Sequence, residues 1–139
     1  MTDLSDPAGL IARFGTTARA SLAVSHAGTG YFAVTPAAPY DPALSVGDQA
    51  RQLFAKAEAR LAEIGSGKDR MLFVAILLAD MGELAEFNAA WDAWLEGVPA
   101  PSRACFKAEL ANPALKVELI VICSTAAAAE GAGELVKRR

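Results

Sequence analysis

Histidine is almost missing from these 139 residues, and His26 stands alone. Cysteine is scarce as well, with only Cys105 and Cys123. One histidine and two distant thiols give no zinc-ligand spacing, so no metal site is expected. Two cysteines also make no disulfide framework, and a reducing compartment would keep them as thiols. An excess of basic residues is missing too. The formal net charge is −3 and the sequence pI about 5.1. No nucleic-acid partner is therefore expected, since such partners call for a basic footprint. The terminal Lys137-Arg138-Arg139 is too short a cluster to supply one. No apolar run approaches the ~20 residues that span a bilayer, so no membrane partner is expected. Met1 to Asp6 is polar and acidic, unlike a signal peptide, which points to the cytoplasm. No internal repeat of fixed period is visible.

What is present is apolar. Hydrophobic residues make up 53% of the chain and charged residues 21%, enough for one packed core in one domain. Leu4, Leu10, Ile11 and Phe14 carry a weak helical pattern ending at Gly15, which suggests a short N-terminal arm over 1–18. Residues 19–34 read as a hairpin around the turn-rich His26-Ala27-Gly28-Thr29-Gly30. Three prolines make 35–42 an irregular loop.

The clearest helix runs from about Val46 to Ile64, with Leu53, Phe54, Ala57 and Leu61 on its apolar stripe. Ser45 is its expected N-cap and Gly65 its expected C′ residue. Met71 to Ala79 is short and continuously apolar, as in a strand buried on both faces. A second amphipathic helix is expected over 83–95, lined by Leu84, Phe87, Trp91, Trp94 and Leu95. Strands are expected over 103–110 and 115–123, joined by a turn at Asn112-Pro113. The order β-β-α-β-α-β-β implies an α/β (α+β) domain over 19–124, with helices on one face of a mixed sheet. The tail from 125 to 139 is rich in alanine and glycine, with a short helix suggested over Ala126 to Ala129.

Two charges interrupt apolar runs. Arg103 follows Pro101-Ser102 at the start of one strand, and Glu118 sits inside the next, fifteen residues later. A charge in a buried strand is costly unless it is paired or used. A guanidinium suits a carboxylate ligand, held bidentately. A partly buried carboxylate suits the activation of water. The simpler alternative is a cross-strand ion pair between these two residues. Other candidates have plain readings. Cys123 reads as a small buried hydrophobe. His26 reads as a surface residue, and Trp91 and Trp94 as core or subunit contacts. Asn88 divides between a loop cap and a site residue. Gly65-Ser66-Gly67-Lys68 invites a phosphate-loop reading, but Asp69 stands where that motif needs Ser or Thr.

Several spaced segments together resemble one family. They are Gly65-Ser66 followed by Lys68, Leu78-Ala79-Asp80-Met81, and Phe87-Asn88-Ala89-Ala90-Trp91-Asp92-Ala93-Trp94. Pro101-Ser102-Arg103-Ala104-Cys105 and Lys116-Val117-Glu118-Leu119 complete the set. The chain resembles the YjgF/Rid (reactive intermediate deaminase, endoribonuclease L-PSP-like) family, and its YoaB-like subgroup in particular. That resemblance implies a chorismate-mutase-like fold, a homotrimer with a cleft between subunits, and no metal or organic cofactor. It implies hydrolysis of small 2-imino acids to 2-keto acids and ammonia. By the same resemblance Arg103 grips the substrate carboxylate and Glu118 positions the attacking water. Cys105 contributes mainly through its backbone, and Asn88 lies near the site.

Ala33-Val34-Thr35-Pro36 occupies the place where the family usually has glycine, which puts Val34 and Thr35 at the expected substrate and removes a glycine there. No clear counterpart exists for the family's N-terminal site tyrosine. Two alternatives stand beside deamination. One is non-catalytic binding or sensing of a small carboxylate, which the lost glycine favours. The other is ribonuclease activity, against which the acidic pI argues.

Overall fold

A computed structural model describes residues 10–125. Six strands form one mixed sheet in the order β1-β2-β3-β6-β4-β5. Their ranges are β1 Ala12–Phe14, β2 Ala23–His26, β3 Thr29–Val34, β4 Met71–Leu78, β5 Ser102–Lys107 and β6 Val117–Ser124. Two helices, α1 Val46–Glu63 and α2 Leu84–Trp94, cover one face. Only β4 and β5 run parallel, and α2 is their crossover. This is the expected fold with one extra strand. Residues 12–14, expected to be helical, pair with Ala23 to Ser25 instead. A short apolar tract reads equally well at either period, and the free edge of β2 decides in favour of a strand. The rest of the expected N-terminal helix, through residue 9, and the helix suggested over 126–129 lie outside the described residues.

Local chemistry accounts for the element ends. Ala27 and Gly28 both have positive φ, as a tight turn between β2 and β3 requires. The Ser45 hydroxyl accepts from the Asp48 amide and caps α1. Gly65, at φ +78°, ends that helix. Gly30 is a point of close approach. A Cβ there would stand 2.8 Å from Ile64 Cδ1 and 3.0 Å from Cys123 Sγ, so only glycine lets the end of α1 settle on β3.

The core lies between the helices and one face of the sheet. Val74, Ile76, Leu78, Val117, Leu119, Val121, Leu53, Leu61 and Phe87 are fully buried there. The expectation that β4 is buried on both faces fails in this chain. Leu72 is half exposed, and Phe73 and Leu77 are only partly covered. Nothing among the described residues packs over the second face of the sheet. Tyr31 is 46% exposed there, Phe106 46% and Ile120 42%.

One buried polar residue ties the loops together. The Gln49 side chain donates to the carbonyls of Asp41 and Ala114 and accepts from the Lys116 amide. Replacing Gln49 by leucine would leave two carbonyls and one amide without their partner. A loss of about 3 kcal/mol is expected, read as a lower urea midpoint at fixed protein concentration.

Candidate functional site

The two-residue period of the pleat sorts the candidate residues onto opposite faces of the sheet. Arg103 pairs with Val74 and Cys105 with Ile76, so both lie on the helix-covered face. They belong to β5, an edge strand, where Arg103 is exposed and Cys105 partly buried. Glu118 pairs with Leu77 and shares the open face with Ile120 and Ile122. β4 separates β5 from β6. The cross-strand Arg103–Glu118 ion pair is therefore excluded, since their strands are not neighbours and the side chains leave the sheet in opposite directions.

Arg103 is held by neutral groups. Its Nη2 donates to Asn88 Oδ1 at 2.8 Å, and its guanidinium lies 5.3 Å from the centre of the Trp91 ring. Asn88 and Trp91 stand three residues apart on α2, so one helix face offers both. No carboxylate pairs with Arg103 among the described residues. The cation is thus oriented by an amide and an aromatic face, with its charge uncompensated. Trp91 itself is buried and packs edge-on against Phe54 and Trp94. Reading it as core was right but incomplete, because its outer face also carries Arg103.

Cys105 is half-buried beside this cation. Burial pushes its thiol pKa up, and the Arg103 charge offsets part of that rise. A thiol kept protonated is a poor nucleophile, in line with a lining role. Glu118 has no hydrogen bond or ion pair within the described residues, and burial raises its pKa above the ordinary value. A carboxylate held without a partner in a partly buried position keeps its proton to higher pH than an exposed one.

Val34 and Thr35 separate. The Val34 side chain is buried in the core, so Val34 can meet a ligand only through its backbone. Thr35 is half-buried, and its hydroxyl is 3.1 Å from that of Tyr40. Sequence reasoning passed over Tyr40, which lies in a proline-rich loop without any periodic signal. No group of three or more His, Cys, Asp or Glu residues that could hold a metal occurs among the described residues.

Two surface clefts lie elsewhere. One of about 630 Å³ sits between the end of β5 and the start of β6, lined by Lys107, Glu109 and Asn112 among others. The other, about 350 Å³, runs between the helices along Phe54, Glu58 and Trp94. Neither contains Arg103 or Glu118.

Comparison with known proteins gives a consistent result. The family profile described as Endoribonuclease L-PSP matches residues 12–125. A RutC family protein from Haemophilus influenzae is 42% identical over 77 residues, which are 55% of this chain and 66% of that protein. The RutC family protein YoaB from Escherichia coli is 35% identical over 114 residues, covering 82% of this chain and 97% of that one. Among solved structures, a YjgF-family protein from Neisseria meningitidis superposes with a TM-score of 0.76 at 36% identity. The match covers 83% of this chain and 94% of the other.

The raised pKa of Glu118 has a definite consequence for stability. Between the ordinary carboxyl value of 4.5 and the raised one, the folded chain holds a proton that the unfolded chain has released. Stability therefore falls as pH rises through that window and levels off above it. Glu118→Gln should be more stable than the parent near pH 7. The gain should vanish as pH falls below about 4.5, as urea midpoints across that range would show.

Proposed function

Because the chain belongs to the YjgF/Rid (endoribonuclease L-PSP) family, we propose that it hydrolyses short 2-imino acids to 2-keto acids and ammonia. The observation that carries this reading is the oriented cation of Arg103, which has no carboxylate partner among the described residues. Asn88 and Trp91 fix the guanidinium without neutralising it. Such a group is suited to a ligand carboxylate, which supplies the missing charge through two parallel hydrogen bonds.

The opposite faces occupied by Arg103 and Glu118 make a demand on assembly. One chain cannot present both to one small molecule, so the site would combine Arg103 of one copy with Glu118 of a neighbour. The open apolar face supports this, because exposed Tyr31, Phe106 and Ile120 surround Glu118 on a surface that a second copy would cover. We assign the homotrimer to this purpose, with three equivalent clefts.

The chemistry then asks little of the protein. Arg103 holds the carboxylate and so fixes C2 of the imino acid. Glu118 takes a proton from a water whose oxygen bonds to C2. That proton passes to the nitrogen to give a tetrahedral amino alcohol. Glu118 then takes the hydroxyl proton and delivers it to the nitrogen as the C–N bond breaks, so that the carbonyl forms and ammonia departs. Imines hydrolyse unaided, so an oriented water beside an oriented electrophile supplies enough acceleration. Neither metal nor organic cofactor takes part. The proposed location is the cytoplasm. No helix among the described residues is long and apolar enough to cross a membrane.

A second reading is binding of a small carboxylate without turnover. The Arg103–Asn88–Trp91 arrangement favours it, since it is complete without Glu118. Nucleolytic cleavage is not proposed, because a net charge of −3 opposes an RNA backbone.

A dehydratase that releases 2-iminobutanoate distinguishes these readings. The protein should accelerate keto-acid formation over buffer. Arg103→Ala should lower kcat/KM about 100-fold through loss of a charge-assisted ligand contact, and Glu118→Gln should return the rate to that of buffer. No acceleration together with retained keto-acid binding would select the binding reading. Light scattering should give three times the chain mass of 14.5 kDa, and a monomer would overturn the shared cleft.

A further inference from the structure

The last registered pair between β3 and β6 joins Val34 to Leu119. Both side chains enter the core. One step further along each strand come Thr35 and Glu118. Continuing the alternation would put both on the open face. β3 ends at Val34, and its direction extended by one residue would bring Thr35 next to Glu118. The Thr35 hydroxyl is not left to rotate, because the Tyr40 hydroxyl stands 3.1 Å away.

The loop bearing Tyr40 is tied down on both sides. The Ala37 amide donates to Gln52 Oε1, and Lys56 Nζ donates to the Pro36 carbonyl. Beyond Tyr40, the Gln49 amide group donates to the Asp41 carbonyl and Lys116 Nζ to the Pro42 carbonyl. Pro36 is fully buried. The seven residues 36–42 are held by α1 and by Lys116 at the start of β6, with the tyrosine between the anchors. Such bracing limits the motion of the loop that carries the hydroxyl, as a positioning group needs.

A phenol is a better donor than an aliphatic alcohol and a poorer acceptor. The favoured polarity is Tyr40 O–H donating to Thr35 Oγ1, which leaves the Thr35 proton to point elsewhere. We infer that Tyr40 is a positioning residue, orienting Thr35 to donate to the heteroatom on C2 of a 2-imino or 2-keto acid. This rests on the carboxylate site proposed for Arg103 and adds its specificity. Arg103 would recognise any short carboxylate, whereas the Thr35–Tyr40 pair would recognise the C2 imine or carbonyl beside it. A ligand lacking that heteroatom leaves the Thr35 donor unpaired.

Calorimetric titration of the full chain with 2-ketobutanoate and with butanoate tests this. The parent should bind the keto acid about fivefold more tightly, the worth of one oriented hydrogen bond. Tyr40→Phe and Thr35→Val should each bring the ratio near one and leave butanoate affinity unchanged, while Thr35→Ser keeps the ratio. The double variant should be no worse than either single one, since both remove the same donor. Arg103→Ala should weaken both ligands together. A ratio unchanged in Tyr40→Phe, or an equal loss for both ligands, overturns the role of Tyr40 while the Arg103 site stands. Insensitivity of both ligands to Arg103→Ala, or no binding by the parent, overturns that site and this inference with it.

Discussion

Burial of one sheet face under two helices, with the other face left bare by the described residues, is the constraint from which the remaining features follow. The pleat reverses direction at each residue, so every strand position is committed to one environment or the other. Val74, Ile76 and Leu78 go under the helices with Val117, Leu119 and Val121. Leu77, Ile120 and Ile122 go to the bare side. Arg103 and Cys105 inherit the helix side through their parallel register with β4, and Glu118 inherits the bare side through its antiparallel register. A shift of one residue in either ladder would exchange these assignments.

The helix side supplies rigidity. Phe54 and Trp94 stack with ring centres 4.3 Å apart and planes 3° from parallel. Trp91 packs edge-on against both. The Trp94 indole donates to Glu58 and its carbonyl accepts from Lys68, which joins α2 to α1 and to the turn before β4. A long guanidinium side chain lying on so fixed a ring loses its freedom when the protein folds rather than when a ligand arrives. The same logic governs the loop between β3 and α1, where Gln49, Gln52, Lys56 and Lys116 hold the backbone. Both regions are polar contacts built around an apolar frame.

The elements were largely legible because their signals are local. The stripe of α1, its Ser45 cap and its Gly65 terminus each follow from short-range geometry, and all three occur as expected. β1 escaped because three residues carry no usable period, although their partner β2 is the next strand in the chain. The double burial expected of β4 does not occur among the described residues, since an apolar run looks the same whether one or both of its faces are covered within the chain. At the site, Arg103 and Glu118 stood out as charges inside apolar runs. Asn88 was found through family resemblance. Trp91 was assigned to the core alone, because sequence cannot show that the outer face of a ring carries a cation. Tyr40 gave no signal, as its role depends on a hydrogen bond across an irregular loop.

Residue order alone determined the helices, most of the strands and the identity of the two unusual charges, because periodicity, caps and turn residues act over a few positions of chain. Tertiary structure decided which strands became neighbours. In doing so it denied Arg103 and Glu118 to each other and gave Arg103 its amide and aromatic partners. Those outcomes depend on ladder register and strand order, which arise from packing between residues far apart in sequence and leave no trace in any short segment of it.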